Sequence, residues 1–290
     1  MEMTDHQGAG GPGGGGRRAG GGGASRRLLR RAAGALLGLA ALAAATAGPA
    51  GAAGRAGTAP ELVALRAVAP SVVQEIRYAS RENFVGEPVD GYRAPLCLLT
   101  APAARALARA QRSLLRQGYT LKVYDCYRPQ RAVDHFVRWA ADLGDQRTKA
   151  VYYPRVDKSS LFRQGYLAER SGHSRGSTVD ATLVRRAAGG RGGDGAPEAC
   201  HARRDGTAAD GSVDMGTAYD CFDPLSATDA PGVTPRQRAE RRRLRGALEG
   251  VGFANLPQEW WHFTYREEPY PDTYFDVPVS PEALRARRTG

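Results

Sequence analysis

The stretch STVDATLV, residues 177–184, narrows the possible folds more than any other part of this chain. Thr178, Asp180 and Thr182 alternate with Val179, Ala181 and Leu183, the period of two that a strand imposes. Its aliphatic row has to face a core, so the chain needs a sheet and something to cover it. TAPAARALARAQRSLLRQGY predicts a helix, with Thr100 as cap, Pro102 in the first turn, Leu107 and Leu114 in an apolar stripe and Gly118 at the end. YTLKVYDCY follows as a strand that stops at Arg128-Pro129, since proline cannot donate to a ladder. QRAVDHFVRWAADLG reads as a second helix, with Ala132, Val133, Phe136, Val137 and Ala140 on one side. TPRQRAERRRLRGALEG suits an amphipathic helix with a solvated arginine face, and EWWHFTYR gives one more strand. This order predicts an α+β fold, a small antiparallel sheet with helices packed beside it.

The start of the chain stands apart. Residues 7–24 are glycine-rich with almost no apolar side chains, a composition that cannot build a core and predicts disorder. SRRLLRRAAGALLGLAALAAATAGPAGAAG then has the three parts of an export signal: a basic start, an apolar middle from Ala32 to Ala47, and small residues at Ala45-Thr46-Ala47 or Ala50-Gly51-Ala52 for cleavage. A spanning helix needs about 20 strongly apolar residues. This stretch is shorter and mostly Ala and Gly, so cleavage is expected, with no stable membrane span afterwards. Ser25-Arg26-Arg27 also suits a twin-arginine address. The expected division is residues 1–57 as disordered start plus signal and 58–290 as a single domain, exported to the extracellular space or cell wall.

The net charge of +11 raises the question of nucleic acid. Up to residue 57, seven arginines stand against Glu2 and Asp5, which leaves a net +6 for the remainder. Much of that lies on the arginine-rich helix, without a nucleic-acid motif, so no nucleic-acid partner is expected. Four cysteines, Cys97, Cys126, Cys200 and Cys221, are an even number in a chain with an export signal, and disulfides are permitted. Three pairings are possible. The expected one joins Cys97 to Cys126 and Cys200 to Cys221, where the second bridge would pin a glycine- and charge-rich surface loop at about 184–213.

Of five histidines, His6 falls in the disordered start, His135 on the second helix and His201 in the loop, which leaves His173 and His262 beside strands. A catalytic zinc needs three N, O or S ligands and an open fourth position. His173, Asp180 and His262 make such a set, provided that Gly172 and Gly176 let the turn fold His173 back towards Asp180. Glu259 precedes His262 by three residues, so on a regular strand the two would face opposite ways; Glu259 has to sit in a bend after Pro257 to share a site. A carboxylate there can act as general base and then return the proton to a leaving amine. Taken singly, each has a plainer reading: a lone histidine as an ordinary hydrogen-bonding residue, Asp180 as a turn residue.

SGHSRGSTVDATL and EWWHF, together with VYDCYRP, MGTAYD and EIRYASRENFVGEPVDGY, closely resemble the D-alanyl-D-alanine dipeptidases of the VanX type, zinc peptidases related to D,D-carboxypeptidases and to the hedgehog signalling domain. The resemblance covers about residues 62–279. It implies one zinc ion per chain held by His173, Asp180 and His262, Glu259 as catalytic acid/base and Arg128 steadying the oxyanion. It further implies Asp220 as partner of a dipeptide's ammonium and Ser171 and Tyr78 as hydrogen-bonding partners of the same substrate. Trp260 and Trp261 are expected to pack around the site. Two alternatives stay open: a D,D-carboxypeptidase acting on peptidoglycan stem peptides, and a non-catalytic zinc-stabilised binding module. The 184–213 loop looks longer than the family's connection, and the cysteines lie outside its motifs.

Overall fold

The structure, a computed structural model, describes residues 60–186, 198–202 and 207–285. The glycine-rich start, the segment expected to be an export signal, and residues 187–197 and 203–206 of the 184–213 loop lie outside the described residues. In chain order the elements are β1 (Leu62–Ala64), α1 (Leu65–Val68), β2 (Val73–Gln74), β3 (Leu98–Thr100), α2 (Ala101–Arg116), β4 (Tyr119–Asp125), α3 (Gln130–Ala141) and α4 (Lys149–Tyr152). They continue with β5 (Thr178–Arg185), α5 (Pro235–Glu249), β6 (Phe253–Asn255), β7 (His262–Tyr265) and α6 (Glu282–Arg285). One sheet runs β2-β4-β5-β7-β6, while β1 pairs with β3. Pairing is antiparallel throughout, apart from a two-residue parallel contact of β2 with β4 at the edge. The α+β fold with helices beside a small sheet is therefore present.

β5 is the middle strand, and its register sets the site. Asp180 lies opposite Asp125 of β4 on one side and opposite His262 of β7 on the other. Both rows of β5 are buried: Val179, Ala181 and Leu183 on the apolar side, but also Thr178, Asp180 and Thr182. The polar row thus faces a closed interior instead of solvent. β5 also runs on through Arg185, two residues into the segment expected to be loop.

α2 buries a row of small and apolar side chains, among them Ala103, Ala106, Leu107, Ala110 and Leu114, and packs on β4 and α5. Alanines on the buried face let the helix lie close to the sheet. Gly118, at φ +81°, turns the chain from α2 into β4. Thr100 holds the cap position without capping: its hydroxyl shares a 2.7 Å hydrogen bond with Ser177, and its N–H donates to the Gly176 carbonyl at 2.7 Å. The Thr100 hydroxyl is taken up instead by Ser177, a buried partner 77 residues further along the chain. On α3 the buried row includes Trp139, with Val137 half-buried.

α5 begins with a capping box between Thr234 and Gln237. Its arginines are not all solvated, contrary to the pattern. Arg241 is buried and donates to the carbonyls of Met215, Leu225 and Ala227 at 2.6–2.9 Å, fastening the segment that carries Asp220. Burial, with Arg238 nearby, lowers its guanidinium to about 10. The disulfides join Cys97 to Cys126 and Cys200 to Cys221, with Cα atoms 5.2 and 5.4 Å apart, as expected. Among the described residues no helix is long and apolar enough to cross a membrane.

Candidate active site

His173 sits in a short 3-10 turn, Gly172–Arg175, that leads into β5. Ser171 opens the turn by accepting the His173 N–H at 3.3 Å, and Gly176 closes it at φ +82°. A Cβ on Gly176 would lie 2.9 Å from Leu62 Cδ2, so both conformation and space call for glycine. The folded turn buries the His173 ring and aims Nδ1 at the Cys126 carbonyl, 2.6 Å away. A carbonyl can only accept, which puts the proton on Nδ1 and leaves Nε2 as a lone pair. That lone pair faces Asp180 Oδ1 at 3.2 Å.

His262 opens β7, and its Nδ1 lies 3.2 Å from Asp180 Oδ1 and 3.3 Å from His173 Nε2. Asp180 Oδ1 is buried and receives no hydrogen bond. Three electron-pair donors converging on one buried point, with no hydrogen bond to one of them, is the chemistry of a cation site. The spacing agrees, because four ligands about 2.0–2.1 Å from a tetrahedral centre stand about 3.3–3.4 Å apart.

Around this triad lie the other residues singled out from sequence. Glu259 sits in the turn before β7, its N–H on the Leu256 carbonyl and its own carbonyl taking the His262 N–H. The bend brings Glu259 Oε2 to 3.5 Å from His262 Nδ1. Burial raises the Glu259 carboxyl to about 7, against the pull of His262. Arg128 extends from the end of β4, with Nη2 3.6 Å from Asp180 Oδ2 and its guanidinium over the ring of Tyr78. Tyr78 donates to Asp220 Oδ2 at 2.8 Å. Asp220 is, among the described residues, the one non-glycine with positive φ, +57°, a conformation that strains L residues and recurs at functional positions. Burial, reinforced by the Asp180 charge, pushes its carboxyl well above the usual range. Ser171 is placed as the cap of the His173 turn. Trp260 and Trp261 are buried; Trp260 donates to Thr217 at 2.8 Å, and Trp261 meets the Tyr219 ring edge-on.

The profile of the peptidase M15 family, described as D-ala-D-ala dipeptidase, matches residues 58–192 and 199–280. The chain belongs to this family. A D-alanyl-D-alanine dipeptidase of Streptomyces coelicolor is 43% identical over 206 residues, covering 71% of this chain and 92% of that protein. One of Enterococcus faecium is 38% identical over 215 residues, or 74% and 96%. One of Escherichia coli is 30% identical over 204 residues, or 70% and 83%. The two matched segments break between residues 192 and 199, inside the long loop.

Two further residues at the candidate site, Asp125 and Tyr219, were not singled out from the sequence. Asp125 is fully buried and takes Arg128 Nε at 2.9 Å and the Tyr92 hydroxyl at 2.6 Å, 3.4 Å from His173 Nδ1. It therefore ties Arg128 to the histidine turn. Burial raises its carboxyl, with Arg128 pulling the other way. Its sign in the sequence is its place three residues before Arg128, at the end of a strand otherwise rich in apolar residues. Tyr219 donates to Asp180 Oδ2 at 2.9 Å across 39 residues of sequence. Its segment was singled out for Asp220, but the pairing with Asp180 depends on the fold.

Proposed function

We propose that this protein is a zinc-dependent dipeptidase that cleaves D-alanyl-D-alanine into two D-alanines. The observation that carries the reading is the triad: three donor atoms 3.2–3.3 Å apart, one of them a buried oxygen without a hydrogen bond. With two neutral imidazoles and one carboxylate, the set retains a net positive charge on a divalent ion. Such an ion, when bound, polarises the scissile carbonyl and makes a water molecule acidic enough to attack it near neutral pH.

The chain's own groups would do the rest. Glu259, facing the triad from the bend, takes the proton of the attacking water and delivers it to the departing amine, so that the C–N bond breaks as an amine leaves. A carboxyl raised to about 7 by burial suits an exchange that runs in both directions. Arg128 holds the charge that develops on the carbonyl oxygen; it is fixed by Asp125 and always charged. Asp220 would meet the substrate's free ammonium, whose charge supplies what a carboxyl in a closed interior lacks. Tyr78 and Ser171 would add neutral hydrogen bonds.

Asp220 separates this reading from a D,D-carboxypeptidase, since a site that reads an ammonium rejects a stem peptide without one beside the scissile bond. Glu259 and Arg128, both at the triad, argue against a binding module that merely holds zinc. The export-type leader and the two disulfides support action outside the cytoplasm, on fragments released from the cell wall rather than on a cytoplasmic precursor pool. The test is release of D-alanine from D-Ala-D-Ala by purified protein with zinc, with chelator, and on a stem pentapeptide. Turnover of the dipeptide that chelator abolishes supports the proposal; preference for the pentapeptide, or activity indifferent to chelator, overturns it.

A further inference from the structure

Tyr219 is buried, and its single hydroxyl proton has two acceptors within reach. Asp180 Oδ2 lies 2.9 Å away and the Tyr78 oxygen 3.2 Å. The nearer acceptor is also the charged one, so the proton goes to Asp180. Tyr78 keeps its own proton on Asp220 Oδ2 at 2.8 Å. The Tyr219 hydroxyl thus occupies the carboxylate oxygen that the histidines do not face, since both ring nitrogens stand against Oδ1.

The ring that carries this hydroxyl has little freedom. Tyr124 stacks on it with centroids 4.5 Å apart and planes 12° from parallel, and Trp261 closes on it edge-first at 5.6 Å. Tyr124 is in turn tied through its hydroxyl to Asp210. A carboxylate has two equivalent oxygens and can rotate between offering one or both to a cation. Besides Tyr219, Oδ2 has Arg128 Nη2 at 3.6 Å, too long for a good hydrogen bond.

We infer that Tyr219 is a positioning residue whose hydroxyl locks the Asp180 carboxylate so that Oδ1 alone points between His173 and His262. The inference rests on reading those three residues as metal ligands. It also explains why the residue just before Asp220 is a tyrosine held in an aromatic clamp: one short segment then serves the ligand side and the ammonium side of the site.

The experiment compares zinc affinity, by chelator competition, for the full chain, Tyr219→Phe and Tyr124→Phe. Tyr219→Phe keeps the stacked ring and removes only the hydroxyl, and losing an outer hydrogen bond to a ligand costs about 10–100-fold in metal affinity. The expected result is a loss of that size in Tyr219→Phe, with the metal-free variant still unfolding cooperatively, and near-normal affinity in Tyr124→Phe. Affinity of Tyr219→Phe equal to that of the unaltered chain overturns the inference, as does an equal loss in Tyr124→Phe, which would show general loosening. Failure of the unaltered chain to bind zinc would overturn the ligand reading as well, so the two failures are distinguishable.

Discussion

The carbonyl of Cys126 accepts the Nδ1 proton of His173 at 2.6 Å, so a half-cystine aims a ring of the triad. Cys126 is fixed to Cys97, which precedes β3, and the Tyr127 N–H returns to the Leu98 carbonyl at 2.9 Å. The disulfide therefore braces the backbone from which His173 takes its orientation.

Replacing Cys97 and Cys126 with serine should lower stability by about 3–4 kcal/mol, from the entropy of the loop that the bond closes across 29 residues. It should also weaken zinc binding, by about tenfold, as an outer-shell partner does when it loosens. The Cys200–Cys221 bridge ends next to Asp220 and two residues from Tyr219, so its removal should raise KM for the dipeptide and lower zinc affinity less than removal of Cys97–Cys126 does. Denaturant unfolding and chelator competition on the two double variants check both. Equal effects on zinc would count against a specific link to His173.

Glu259→Ala should lower kcat by about 10²–10⁴-fold, the range of a lost general acid/base. Zinc content should not change, because Glu259 stands outside the three converging donor atoms. Metal analysis beside single-turnover kinetics separates the outcomes; loss of zinc would make Glu259 a ligand instead.

The strand, the histidine turn and the bend at Glu259 were legible because each depends on neighbours in sequence: a period of two, a Gly-x-x-x-Gly frame around His173, a proline two residues before Glu259. What covers a strand is a different matter. The alternation in β5 marks Thr178, Asp180 and Thr182 as one row, but whether that row meets water or a closed site depends on segments far along the chain. Tyr219 reaches Asp180 across 39 residues, and the bond from Thr100 to Ser177 spans 77. Thr100 looked like a cap because the helix begins there, and a distant serine decided otherwise.

Asp220→Asn should spare the fold and remove the charge that meets an ammonium. A hydrogen bond to a charged group is worth about 1.5–3 kcal/mol, so KM for D-Ala-D-Ala should rise roughly 10- to 150-fold. N-acetyl-D-Ala-D-Ala, which has no ammonium, should be a poor substrate for the unaltered enzyme, and Asp220→Asn should narrow the gap between the two peptides. An unchanged ratio would assign Asp220 to structure alone.

Asp210 makes a pH prediction away from the ligands. It lies in the part of the long loop that folds back on β4, where Tyr124, Lys122, Arg77 and Ser212 surround its carboxylate. Burial alone would raise this carboxyl, but Lys122 and the hydrogen bonds from Tyr124 and Ser212 prevail and lower it to about 2. An unfolded aspartate titrates near 3.9, above that value, so the folded state binds the proton less readily. The group's contribution is then complete above about pH 4 and is lost as pH falls from about 4 to about 2, amounting to about 2 kcal/mol. Other carboxylates titrate in the same window, so the measurement is a difference: urea unfolding of the unaltered chain and of Asp210→Asn at pH 7, 5 and 3. The gap in stability should be steady from pH 7 to 5 and shrink by pH 3. A gap independent of pH would mean that Asp210 holds the loop by shape and hydrogen bonding, and that its charge contributes nothing.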